Sequence, residues 1–100
     1  MKINLTDKKV IITGGSTGIG KEVVKLFAEN KSKIALFDVN DSEGSNLSNE
    51  LNKKGSEIRY WHLDVRDSNQ VSGGVLAANQ WLGGVDILIN LAGILQGASL

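Results

Sequence analysis

Short runs of consecutive apolar residues alternate along this chain with stretches in which apolar residues recur every three or four positions. Lys9-Val10-Ile11-Ile12-Thr13 is a β-branched run that ends on glycines, which predicts a first strand. Ile19, Val23, Leu26 and Phe27 then stand at helical spacing, and the pattern stops near Asn30. Lys33-Ile34-Ala35-Leu36-Phe37-Asp38 predicts a second strand. Asp41 or Ser42 can cap a helix in which Leu47 and Leu51 lie one turn apart, closed by Gly55. A third strand is expected from Glu57 to about Asp64. Asp67 or Ser68 caps a helix carrying Val71, Val75, Ala78 and Leu82, ended by Gly83-Gly84. Gly73-Gly74 inside that helix should each cost about 1 kcal/mol relative to alanine, which softens it. Val85-Asp86-Ile87-Leu88-Ile89-Asn90 predicts the fourth strand.

The order β-α-β-α-β-α-β predicts an α/β fold, a doubly wound parallel sheet. The nearly unbroken apolar runs at residues 10–12 and 87–89 fit strands covered on both faces. Right-handed crossovers then give the strand order 3-2-1-4, with the first two helices on one face and the third on the other. Strand four is left as an edge, with Ile87 and Ile89 on one face and Leu88 on the other.

Composition narrows the function classes. Residues 1–100 suffice for one small domain, and 41% hydrophobic with 22% charged residues is a globular balance. A net charge of zero offers no field for nucleic acid or an anionic membrane, so neither is expected as a partner. With no cysteine and one histidine, His62, no metal site is expected. The start, Met1 to Thr6, lacks the apolar segment of a secretory signal, and no run approaches the roughly 18 apolar residues of a membrane span. A cytoplasmic location is the resulting expectation.

The chemistry-bearing segment is Thr13-Gly14-Gly15-Ser16-Thr17-Gly18-Ile19-Gly20, between the first strand and the first helix. A strand that turns directly into a helix aims the helix's free N–H groups and positive dipole end at the turn. A pyrophosphate can sit there if the backbone comes close, which is what glycine allows. Gly14 would permit the tight turn, Gly18 the close approach, and Gly20 the packing of helix against strand. Ser16 and Thr17 can add hydroxyl donors. An ordinary glycine turn is the bland alternative, and the flanking strand and helix weigh against it.

Two other phosphate or nucleotide readings compete. Gly15 to Lys21 matches the opening of a P-loop, but Glu22 stands where that loop needs Ser or Thr for magnesium. A methyl-donor site usually has an acidic residue at the end of the first strand, and here the strand ends Ile12-Thr13. Asp38 closes the second strand, 24 residues after Gly14 and 18 after Gly20. A carboxylate there accepts from both adenosine ribose hydroxyls of NAD and repels the extra phosphate of NADP. No Arg or Lys at positions 39–42 counters it, so NAD is preferred.

Together these segments resemble the short-chain dehydrogenases/reductases. Thr13-Gly14-x-x-x-Gly18-Ile19-Gly20 is similar to their glycine signature, Leu63-Asp64-Val65 to the end of their third strand, and Asn90-Leu91-Ala92-Gly93 to their N-N-A-G segment. The resemblance implies a partial NAD(P)-binding Rossmann domain over residues 1–100. It implies that Asp64 and the Val65 N–H meet the adenine, and that Asn90, Ala92 and Gly93 support the sheet and line the adenine–ribose pocket. Leu91 departs from the pattern, which usually has a second asparagine. Each of Asp64 and Asn90 taken alone could be an ordinary strand-ending polar residue.

The family transfers hydride between nicotinamide and an alcohol or carbonyl carbon, using a tyrosine and a lysine four residues later. Tyr60 is the one tyrosine, Asp64 stands four residues on, and no catalytic residue is assigned. Tyr60, His62, Trp61 and Trp81 are expected to be packing or surface residues. Whether this chain by itself is an enzyme is left open. The expected function is the dinucleotide-binding half of an NAD-dependent oxidoreductase acting on a small alcohol or carbonyl substrate, or else a non-catalytic dinucleotide-binding module. A structural or interaction protein rests on the exposed fourth strand alone. That edge offers a surface for self-association, so the chain by itself is expected to be marginally stable, to self-associate or to be part of a longer product. A monodisperse monomer with a cooperative, high-temperature melt in plain buffer would contradict this.

Overall fold

In the computed structural model, which describes residues 4–92, four strands and three helices alternate along the chain. They are β1 (Lys9–Thr13), α1 (Gly18–Glu29), β2 (Lys33–Asp38), α2 (Asp41–Lys53), β3 (Glu57–His62), α3 (Ser68–Leu82) and β4 (Ile87–Asn90). The strands form one parallel sheet in the order β3-β2-β1-β4, as the crossover rule requires. The fold is Rossmann-like.

Period-two alternation divides each inner strand between two cores. Val10 and Ile12 of β1 and Ile34 and Leu36 of β2 pack with Val24, Phe27 and Ala28 of α1 and with Leu47 and Leu51 of α2. Ile11, Ala35 and Phe37 point the other way, against Leu63 and against Ala78 and Leu82 of α3. The division of helices between faces is the expected one. Val10, Ile12, Ile34 and Leu36 are fully buried. Each such side chain contributes about 1.5–3 kcal/mol of transfer free energy, so the β1–β2 pair is the rigid centre. On β4, Ile87 and Ile89 join the α1/α2 side while Leu88 stays 64% exposed.

Several local expectations are corrected. The buried stripe of α1 is Gly20, Val24, Phe27 and Ala28, while Ile19 and Leu26 are exposed. Gly20 belongs to that stripe because the helix start lies so close to the glycine loop that a Cβ there would strike the Gly14 carbonyl oxygen. Asn40, one residue before the expected positions, caps α2 through its side chain, which accepts from the Glu43 N–H. β3 ends at His62, two residues before Asp64, because the chain turns after the Leu63 N–H bonds the Asp38 carbonyl. β4 begins at Ile87, since Asp86 is occupied in bonding Lys9. Val75 of α3 is exposed rather than buried, and the helix rests on the sheet through Ala78 and Leu82. Asp67 caps α3 and left-handed Gly83 ends it, as expected.

The paired glycines that looked like soft spots differ from each other, because a Cβ at Gly74 would strike the Leu63 side chain while Gly73 stands in open space. A Cβ at Gly73 would meet nothing within 4 Å, whereas one at Gly44 of α2 would run into the Tyr60 ring. Gly73→Ala should therefore stabilise the chain by about 0.4–1 kcal/mol. Gly44→Ala should destabilise it by about 1–3 kcal/mol through overpacking against a rigid ring. Urea unfolding of the two variants reads both signs, and a Gly44→Ala variant as stable as the parent or more so would show that α2 does not pack on Tyr60 of β3 in this way.

Candidate cofactor site

The carboxyl ends of the strands are held level by backbone pairing. Gly14 donates its N–H to the Phe37 carbonyl at 2.8 Å, and the Leu91 N–H donates to the Thr13 carbonyl at 2.9 Å. Thr13 and Asn90 pair across β1 and β4, and the Thr13 hydroxyl donates to Asn90 Oδ1 at 2.5 Å. From β1 the chain crosses through α1 to β2 on one side, while β4 pairs on the other side, so the strand order reverses at β1 and a crevice is expected at this switch point.

Gly14 makes the crevice possible. Its φ of +73° is left-handed, and a Cβ there would lie 2.6 Å from the Ala92 nitrogen. Gly20 is equally constrained, since a Cβ would strike the Gly14 carbonyl oxygen. Gly18, with φ +56°, faces open space at the first turn of α1. The three glycines thus serve turn and strand approach, helix-to-loop packing, and access. Gly15, which the sequence reading gave no role, is wedged among Val24, Leu36 and Ile12. Its neighbour in sequence, Gly14, hid that packing role.

The three helices end differently at their N-termini. Asn40 caps α2 and Asp67 caps α3 with their side chains, whereas Thr17 makes no side-chain cap on α1. Nor does α1 carry an acidic residue in its first turn. Its leading N–H groups therefore remain available to an anion, and the dipole favours one. Thr17 is exposed at the crevice rather than folded back onto the helix.

A cleft of about 140 Å³ lies beside this helix end, lined by Gly14, Thr17, Phe37, Asp38, Val39, Leu63, Asp64, Val65, Arg66 and Ala92. Of the residues singled out in the sequence, Gly14, Thr17, Asp38, Asp64, Val65 and Ala92 meet here. Gly18, Ile19 and Gly20 form the adjacent helix start, and Asn90 ties β4 to β1 outside the lining. Gly93 lies outside the described residues.

Asp38 is fixed by groups from two sides. Oδ2 accepts from both the N–H and the hydroxyl of Ser16, which is fully buried. Oδ1 accepts from the Val39 N–H at 2.7 Å and sits 3.4 Å from the Asn40 N–H, a long contact that leaves acceptor capacity on that oxygen. The Ser16 hydroxyl, expected as an added donor at the glycine loop, donates here to Asp38.

Arg66 and Val39 were missed in the sequence. Arg66 grips Asp64 through Nε at 3.0 Å and Nη2 at 2.9 Å, and its backbone N–H donates to Asp64 Oδ1 at 2.9 Å. The proximity of Arg66 to Leu63-Asp64-Val65 was the available signal. Val39 is 54% exposed immediately after Asp38, an apolar surface at the cleft's rim.

The Arg66 side-chain and backbone hydrogen bonds hold Asp64 down to about 2 from its ordinary 3.8. Because the folded value is depressed, the pair's contribution is complete above pH 3.8 and drains away as pH falls toward 2. Carbon-detected NMR of the Asp64 carboxyl should give a midpoint near 2, and Arg66→Met should return it toward 3.8. An ordinary midpoint with Arg66 intact would show that the two-pronged pair does not form.

Comparison with known proteins agrees with this geometry. A family model described as short chain dehydrogenase matches residues 8–100. The chain is 41% identical over 96 residues to (+)-borneol dehydrogenase 1 of Salvia officinalis, covering 96% of this chain and 36% of that protein. It is 38% identical over 94 residues to the 3-oxoacyl-[acyl-carrier-protein] reductase FabG of Chlamydia pneumoniae, covering 94% and 38%. Among solved structures, a short chain dehydrogenase/reductase from Burkholderia phymatum in complex with NAD superposes with a TM-score of 0.82 at 26% identity, over 87% of this chain and 31% of that one. The chain spans little more than a third of the length of the curated relatives it matches. Matched over residues 8–100, with the sheet order and glycine loop described above, it belongs to the short chain dehydrogenase family.

Proposed function

We propose that this chain is the dinucleotide-binding part of an NAD-dependent oxidoreductase, with the cleft at Gly14, Asp38 and Asp64 as the adenosine end of the site. The observation that carries the proposal is the Asp38 carboxylate, oriented by buried Ser16 and keeping an acceptor position on Oδ1 beside an uncapped helix N-terminus. A nicotinamide dinucleotide fits that donor set. Its pyrophosphate suits the free N–H groups of α1 and the open space at Gly18. Its adenosine ribose hydroxyls suit Asp38, and its adenine suits the strand end at Asp64 and Val65. When bound, the nicotinamide supplies hydride exchange with an alcohol or carbonyl carbon.

This chain's own residues bind and orient. α1 offsets the pyrophosphate charge, Asp38 selects among riboses, and Arg66 keeps Asp64 ionised and in place. Tyr60 is not assigned to proton transfer. Burial, then the Asp41 hydrogen bond and the nearby Asp41 and Asp38 charges, push its phenol upward, away from the value a base at neutral pH needs. The relatives' names are as different as a borneol dehydrogenase and an acyl-carrier-protein reductase, so the proposal stops at the reaction class.

Preference for NAD over NADP follows from charge, because a 2′-phosphate would be placed against the fixed Asp38 carboxylate. Calorimetric titration of the chain should show NAD binding about tenfold or more tighter than NADP, and Asp38→Ala should remove most of that difference. Equal affinities in the parent protein would sink the role of Asp38. No heat at millimolar NAD would sink the cofactor proposal for this polypeptide.

A further inference from the structure

The turn that carries Asp38 is held from β3 by a cluster that the binding reading above does not use. Asp41, the first residue of α2, receives two groups on one oxygen: the Tyr60 hydroxyl donates to Oδ1 at 2.7 Å, and His62 Nδ1 lies 2.7 Å from the same atom. The Tyr60 oxygen is also 2.9 Å from the Asp38 carbonyl oxygen. That carbonyl already accepts the Leu63 N–H at 2.9 Å. The single phenolic proton therefore favours the shorter, charged contact with Asp41 while remaining within reach of Asp38.

The cluster cannot slide. The Tyr60 ring lies against Gly44, where a Cβ would overlap it, so α2 is seated on the ring one turn after Asp41. The side chains of Tyr60 and His62 thus fix the start of α2, and Val39 and Asn40 are the only residues between that start and Asp38. Those two residues present the N–H groups that face Asp38 Oδ1. A displacement at Asp41 is transmitted to the Asp38 carboxylate through a two-residue link too short to absorb it. Tyr60 itself is partly buried, while Asp41 and His62 are exposed.

We propose that Tyr60, acting through Asp41, is the positioning residue for Asp38 and so sets how strongly the site reads the adenosine ribose hydroxyls. The proposal rests on the assignment of the cleft to NAD. It gives Tyr60 a place in cofactor selection with no part in proton transfer, and it makes the β3 end a determinant of specificity outside the cleft lining.

The test compares NAD with its 2′-deoxyadenosine analogue on the whole chain by calorimetry. Tyr60→Phe keeps the ring against Gly44 and removes only the hydroxyl. It should weaken NAD binding about threefold to tenfold, the range one net hydrogen bond supplies, while the deoxy analogue, which offers Asp38 only its 3′-hydroxyl, loses clearly less. Asp41→Ala should reproduce that loss, and Asp41→Asn, which keeps an oxygen acceptor for Tyr60, should restore most of the NAD preference. The Tyr60→Phe/Asp41→Ala double variant should be no worse than either single.

If the parent chain binds NAD more tightly than the deoxy analogue and Tyr60→Phe keeps that ratio, the positioning role is overturned and the cofactor reading stands. Equal weakening of both ligands overturns it as well, because that is the mark of a general structural role. If the parent chain binds neither ligand, the cofactor assignment fails and this proposal fails with it.

Discussion

Three backbones converge at Gly14, and the rest of the carboxyl end of the sheet depends on how near they come. Gly14 pairs with Phe37 on one side, and the Leu91–Ala92 backbone approaches so closely that a single Cβ would part them. The approach brings the ends of β1, β2 and β4 level and starts α1 at the crevice. A wider turn would separate the helix N-terminus from Asp38, and anion and ribose could no longer be read by one rigid frame. Below this point the fully buried β1–β2 pair keeps the frame stiff, as the interlocked faces of a packed sheet should.

Charge is arranged around that frame with little waste. Two of the three helices cap themselves, and the one facing the crevice is left open. Asp38 and Asp64 both face the cleft, and each is oriented by a different device. A buried serine and the amides of its own turn hold the first, and an exposed arginine two residues on holds the second. Both are acceptors whose direction is set before any ligand arrives, which lowers the ordering cost of binding.

The strands and their order were legible in the sequence because β-branched runs and the crossover rule leave few alternatives. The glycine loop was legible for the same kind of reason, since few structures need three such glycines between a strand and a helix. The phase of α1 was misread because Gly20 and Ala28 carry little hydrophobic weight in a pattern yet are buried, while the bulky Ile19 and Leu26 face outward. The cap of α2 was misplaced by one residue because Asn40, Asp41 and Ser42 are all capable acceptors, and only the chain direction after β2 selects among them. Contacts joining residues 22 apart, such as Ser16 with Asp38, leave no mark in a pattern read along one chain. The resemblance implied that Asn90 supports the sheet, but not that it does so by accepting from the Thr13 hydroxyl, a residue 77 positions away.

The central claim is that a dinucleotide binds along the carboxyl ends of β1 and β2, against the start of α1. Backbone amide shifts followed by two-dimensional nitrogen–proton NMR during NAD addition address it most directly. The largest saturable shifts are expected at Gly14 to Gly20, at Val39 and at Val65 and Arg66, with the opposite end of the sheet near Lys31 and Gly55 unmoved. Saturable shifts centred on that opposite end, with the glycine loop silent, would contradict it.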